Sequence, residues 1–319
     1  MMRAMSSAIA GLKAHQDAID VVGNNIANVN THSFKSGSVS FRDVMYQNIA
    51  SAAEGSTATG MAGTNPSQIG YGSATASVGV DMSNGGKDQT GKPNDCYIDG
   101  QGYFVVADGG AAKDESGNTL DYPAGMKYTR VGSLTFDSNG YLTDGNGNYI
   151  LGVNNSAIGT DGKPTGAIPT TTDAMDAKLK DGHLELADGT AVQPEYICYD
   201  PASNTLKNVA FGPDGTITAT VNGSAVTLGK AALAYFGNAA GLQDVGNSYY
   251  KDTPNSGDAK YFAPGSGETG SLVTGSLESS NVDLATEFSN MIVYERGYQA
   301  NTKIISVADE MLQTLVNMK

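Results

Sequence analysis

The side chains with the widest chemical range are few here and badly spaced. The three histidines, His15, His32 and His183, have no metal-ligand spacing, and Cys96 and Cys198 form no C-x-x-C, so the pattern argues against zinc. Asp144-x-Asn146-x-Asn148 begins like a calcium loop, but Tyr149 stands where that loop needs glycine and Asn155 where it needs glutamate; a solvated turn is expected instead. Gly100-x-Gly102 runs into Tyr103-Phe104-Val105-Val106, a strand pattern, so it cannot place a pyrophosphate at a helix start and reads as a hairpin turn. Neither G-x-S-x-G nor G-x-x-x-x-G-K-[ST] occurs. The 33 acidic residues allow many carboxylate pairs, and nothing selects one. No catalytic, cofactor-binding or metal-ligating residues are assigned, and the chain is expected not to be an enzyme.

The totals narrow the partners. The net charge of −14, with 16% charged residues, argues against nucleic acid, since a polyanion needs a basic surface. No run approaches the ~20 apolar residues of a membrane span. Ser6, Ser7, Lys13, His15, Gln16 and Asp17 break up the N-terminal stretch, so no secretory signal is visible. The protein is expected to stay in the cytoplasm or to leave by a route that reads something else. Cys96 and Cys198 lie in strand-like runs and are expected as buried free thiols.

With chemistry of side chains set aside, the elements themselves carry the signal. Met5, Leu12, Ile19 and Ile26 recur every seventh position at the head of the chain, with Ile9, Val22 and Val29 in a second row. Leu284, Met291, Tyr298, Ile305 and Leu312 do the same at the tail, with Phe288, Ala308 and Leu315 in a second row. Two terminal helices with apolar seams are expected to pair with each other and with copies of the same chain. Gly11, Gly23 and Gly297 weaken those helices by roughly 1 kcal/mol each relative to alanine, so they need partners. Asn24, Asn25, Asn28 and Asn30 are expected to end the first helix by taking left-handed conformations. Ser280 and Asp283 have capping-box spacing at the start of the second.

The middle is of another kind. Turn dipeptides such as Asn139-Gly140, Asp161-Gly162, Asp181-Gly182, Asp188-Gly189 and Asp214-Gly215 alternate with short apolar runs, the signature of antiparallel strands. The expected class is α+β: N- and C-terminal helices forming a coiled-coil domain, with mainly antiparallel β-domains inserted between them. The expected division is a helical polymerisation domain of 1–30 with 280–319, an extended connector of 31–80 with a short helix near 41–53, a discontinuous main β-domain of 81–154 with 206–275, and a small inserted β-subdomain of 155–205.

Asn24-Asn25-Ile26-Ala27-Asn28-Val29-Asn30-Thr31, followed by Phe34-Lys35, resembles the N-terminal signature of the bacterial flagellar rod and hook proteins. Ser280-Asn281-Val282-Asp283-Leu284-Ala285, then Glu295-Arg296-Gly297-Tyr298-Gln299-Ala300-Asn301, resembles their C-terminal signature. Within that family, Gly63-Thr64-Asn65-Pro66-x-Gln68-Ile69-Gly70-x-Gly72, Phe236-x-Asn238 and Pro254-Asn255-Ser256-Gly257 resemble the hook members, with the distal rod as the alternative. The resemblance covers nearly all of the chain except about 155–205. It departs at Ser33, where the family usually has glycine; serine resists a left-handed turn.

The resemblance implies export through the flagellar type III channel without a cleaved signal, and assembly outside the cell into a flexible hollow helical homopolymer of the hook that transmits torque from rod to filament. It further implies partners among the rod, hook cap, hook–filament junction and export apparatus, with no membrane insertion and no cofactor. Free monomer is then expected to have unsettled ends, and proteolysis to leave a core near 80–275.

Overall fold

The computed structural model describes residues 2–52, 62–108, 111–113, 119–123, 125–155, 179–180, 183–184, 194–199, 206–221 and 224–318. The chain folds into two compact units. A helical unit comprises Met1–Val29, Lys35–Asp81 and Val282–Lys319; a β unit comprises Asn30–Phe34 and Met82–Asn281.

In the helical unit the N-terminal helix Met2–Ala27 lies along the C-terminal helix Leu284–Asn317. At 1.5 Å per residue, the 34 residues of the second span roughly 50 Å. The buried stripe of the first helix is made of small residues: Ala8, Gly11, Ala14, Ala18, Val22 and Asn25 follow one another at three- and four-residue intervals. Two of the three glycines counted as helix weakeners, Gly11 and Gly297, mark close approach, while Gly23 has open space beside it. A Cβ at Gly11 would lie 2.8 Å from the Asn301 side chain, and one at Gly297 would lie 2.6 Å from Nε2 of His15. What the structure establishes is this helix pair in an α+β chain.

The segment expected as an irregular connector with a short helix is a two-stranded ribbon. β1 (Gly37–Asp43) pairs antiparallel with β4 (Ser73–Val80), and β2 (Tyr46–Ala50) pairs with β3 (Ser67–Gly70). Bonds from Val44 N to Gly72 O (2.9 Å) and from Tyr71 N to Met45 O (3.1 Å) join the two pairs into one ribbon. The physical reason was present in Ser38-Val39-Ser40-Phe41, whose period of two belongs to a strand. The first helix also ends differently from expectation. The asparagines do not take left-handed angles; Ser33 does, at φ +58°. Asn25 is buried and bonds both ways with Gly37, accepting from its N–H (2.9 Å) and donating to its carbonyl (2.8 Å). It thereby pins the ribbon to the helix as a strand neighbour would.

The β unit holds a 15-stranded antiparallel sheet and small two-stranded sheets, among them Cys96–Asp99 with Ser271–Thr274 and Lys87–Gln89 with Ser276–Glu278. Strand Tyr103–Ala107 runs through its centre with both faces covered. Phe104 and Val106 pack with Ile98, Leu134, Ile150 and Leu233; Tyr103 and Val105 pack on the other side with Tyr128, Leu151, Phe236 and Tyr250. A strand sealed on both faces is apolar at every position, which is why five successive residues here show no alternation. Gly140 (φ +85°) and Gly215 (φ +79°) turn the hairpins Leu134–Phe136 with Leu142–Asp144 and Leu206–Phe211 with Thr216–Val221.

Gly100-x-Gly102 is not a hairpin turn. Strands Cys96–Asp99 and Tyr103–Ala107 pair with different partners, and the glycines, at φ +130° and +128°, turn a corner from one sheet into another. The expected subdomain at 155–205 lies largely outside the described residues, as do Asp161-Gly162, Asp181-Gly182 and Asp188-Gly189. The described pieces bond into the large sheet: Glu195–Tyr196 pairs with Tyr149–Asn154, and His183 pairs with Phe262.

Candidate assembly surface

Large apolar residues of the helical unit face outward. Ile9, Leu284, Phe288 and Leu315 are exposed, and so are Ile292, Val293, Ile304, Met311 and Val316. Met5, Leu12, Ile19, Ile26, Val29, Met291, Tyr298, Ile305 and Leu312 are half-buried; of the residues assigned to the seams Val22 and Ala308 are buried. The helices therefore close on their small side chains and leave many of the large ones partly or wholly in water. Ala4, Ala300, Lys303, Ile304, Val307, Ala308 and Met311 line an apolar groove of about 500 Å³ along the helix pair. An apolar surface this extended marks association.

The ribbon continues that surface. Met45, Tyr46, Ile49, Ile69, Tyr71 and Val78 are exposed. From Val44 to Gly72 the sequence carries a single charged residue, Glu54, in a chain of net charge −14. Identical acidic copies repel one another, so an uncharged stretch is where they can meet most closely. The ribbon's root is fastened by Thr75, which donates to Asp17 (2.7 Å), and by a cluster of His15, Phe41 and Tyr294 with ring centroids 5.7–6.2 Å apart. Sequence reasoning missed this cluster, whose members come from three elements far apart in the chain.

The signature residues take structural posts. Asn24 accepts from the side chain of Asn28 at both its carbonyl and its Oδ1 (3.0 Å each). Asn30 and Thr31 are exposed, the Thr31 carbonyl accepts from Phe34 N, and Lys35 is buried. Asp283, not Ser280, caps the C-terminal helix: its carboxylate accepts from Ala285 N (3.1 Å) and the Thr286 hydroxyl (2.6 Å). The Thr286 hydroxyl first and the Ala285 amide second hold that carboxyl below the usual aspartate range. Ser280 and Asn281 belong to the β unit instead, where Asn281 bonds to Phe34 and Ser83. Glu295, Arg296 and Gln299 form an exposed hydrogen-bonded ladder, with Gln299 bonded to both neighbours (2.9 and 3.1 Å). Gly297 and Asn301 face the first helix.

The rejected chemistry also has a place. The Asp144 turn is the solvated turn expected, with Gly145, Asn146 and Gly147 exposed, but it is anchored from inside. Asp144 is buried, its Oδ1 accepts from Asn146 N and Asn148 N (2.9 Å each), and the Tyr249 hydroxyl donates to its Oδ2. Burial and then that bond push the Tyr249 hydroxyl up to about 12. Cys96 and Cys198 are buried free thiols, each pushed up to about 12 by burial. No described helix is long and apolar enough to cross a membrane.

Comparison with known proteins agrees with this geometry. Residues 5–35 match the family described as flagella basal body rod protein, and residues 273–318 match the flagellar basal body rod FlgEFG protein C-terminal family. Over 321 aligned positions and the whole of both chains, this protein is 35% identical to the flagellar basal-body rod protein FlgG of Bacillus subtilis. It is 28% identical to the flagellar hook protein FlgE of Borreliella burgdorferi over 443 positions, again with both chains fully covered. A FlgG of Buchnera aphidicola is 30% identical over 99% of each chain. The chain belongs to the flagellar basal-body rod and hook family. It is a structural protein of the flagellum and not an enzyme.

Proposed function

We propose that the chain polymerises through its terminal helices into a hollow helical tube of the flagellar axis. The observation that carries this reading is the asymmetry between the units: the β unit closes its own core, whereas the helical unit leaves Phe288, Ile292, Ile304 and Leu315 in water. Copies of the same chain, stacked side by side, would cover those residues and the ribbon, and supply the seam-to-seam contacts that a coiled coil needs.

We take the segment built to be the hook, a flexible coupling passing torque from rod to filament. The full-length similarity to hook proteins supports it, as do the hook-like stretches at 63–72 and 236–257. The distal rod is the second reading, and length favours it. The similarity to the Bacillus rod protein spans 321 aligned positions, close to the 319 residues here, while the hook alignments stretch to 443 and 468. Under either reading the subunit leaves the cell through the flagellar export apparatus without a cleaved signal and joins neighbouring rod, cap or junction proteins.

Electron microscopy of the purified protein at high salt tests the proposal. Tubes that vanish when residues 280–319 are removed support it; retention of assembly after that truncation would overturn it. Curved tubes favour the hook, and straight stiff ones favour the distal rod.

A further inference from the structure

One buried ion pair in the β unit has no part in the assembly surface. Arg130 and Glu278 are both sealed from water, with Arg130 Nε 2.7 Å from Glu278 Oε2. Burying such a pair adds little to stability, because desolvation cancels most of the attraction. Its use must lie in what the pair holds together.

On the carboxylate side three stretches of chain meet at one residue. Glu278 Oε1 accepts from Gly85 N (2.8 Å), and its backbone carbonyl accepts from Ser33 N (2.9 Å). The next residue, Ser279, donates its N–H to Gly86 O (2.8 Å). On the guanidinium side Arg130 grips the Gly100–Gly102 corner, donating to Gly100 O (2.9 Å), Gly102 O (3.2 Å) and Ile98 O (3.3 Å). Three carbonyls can converge there because both glycines have φ near +130°, which a side chain would resist. The corner leads into the central strand Tyr103–Ala107.

The β unit is joined to the rest of the chain at the peptide bonds that bound Asn30–Phe34 and Met82–Asn281. Each of those segment ends lies within a few residues of Ser33, Gly85 or Glu278. We propose that Arg130 and Glu278 form a mechanical anchor: tension arriving along these chain segments is gathered at Glu278 and passed by Arg130 into the central strand. The fork of a guanidinium is required, since it aims fixed donors at one carboxylate and three carbonyls at once. A lysine at 130 keeps the charge and loses the grip. The anchor concerns the β unit alone and does not depend on what the chain polymerises into.

Hydrogen exchange on the full-length chain tests it. In Glu278→Gln, the amides of Ser33, Gly85 and Ser279 should exchange at least about tenfold faster, while strands Thr216–Val221 and Ser224–Ala231 keep their protection. Equal acceleration in those strands, or none at the three amides, would overturn the proposal. Optical-trap pulling on the two chain ends supplies a second readout. Arg130→Lys should lower the force at which the β unit opens and leave its urea midpoint nearly unchanged. The double change Arg130→Met with Glu278→Met guards against a variant that merely fails to fold. It should keep a urea midpoint close to the unsubstituted protein's and still open at lower force; an unchanged opening force would reduce the pair to ordinary packing and refute the anchor.

Discussion

The β unit and the helical unit solve the same problem in opposite ways. In the β unit, Phe104, Ile98, Leu134 and Leu233 are sealed by strands from the same chain. In the helical unit, alanines and glycines are sealed and Phe288, Ile292 and Val293 are left out. A residue type does not determine its burial; what determines it is how closely the backbones come. Gly11 and Gly297 let the two helices approach until there is no room between them for a large side chain, and the large ones are displaced to the flanks. One unit thus seals its large side chains with its own strands, and the other leaves several of its largest in water.

The comparison breaks first if the helices prove dispensable. Removing residues 280–319 should abolish tube formation and leave the β unit's unfolding transition in place, read by electron microscopy and circular dichroism on one preparation. Paired truncations sharpen it next. Phe104→Ala should destabilise the β unit by about 3–5 kcal/mol in urea titrations. Phe288→Ala should cost the monomer well under about 1 kcal/mol and appear instead as a raised critical concentration for assembly. Gly297→Leu should cost the helical unit about 1–3 kcal/mol by forcing the helices apart at His15, seen as lost helicity on mild heating.

The thiols test how well the β unit is closed. Both are held near 12, so at pH 8 they are protonated and out of reach of a thiol reagent. Native protein should react with none, and denatured protein with two. If Cys96 reacts in the native state, the β unit opens more readily than its packing implies. The smallest effect belongs to Ser33, buried in a left-handed conformation with its hydroxyl unpartnered. Ser33→Gly should stabilise the β unit by about 1 kcal/mol, measurable as a small rise in melting temperature.

The parts of this structure legible in the sequence were those with local signals. Heptad spacing exposed both helices, and Asn139-Gly140 and Asp214-Gly215 exposed the hairpins, because a helix face and a tight turn are decided within a few neighbours. The ribbon was legible in Ser38-Val39-Ser40-Phe41 but hidden by its poverty in large residues. The Arg130–Glu278 pair was not legible: its members lie 148 residues apart, and nothing in the sequence ties one to the other. The cap at Asp283 was displaced by three residues for a related reason. Ser280 is drawn into the β unit, so the helix begins only where the chain is released from it.

The corner and the chain ends around Glu278 bear on how such a protein can change. With every covalent link to the β unit rooted beside one residue, the body beyond that root is a graft on a fixed stem. Whole loops could be lengthened, trimmed or exchanged for a foreign domain without re-registering either helix, provided the graft supplies an arginine to meet the stem's glutamate.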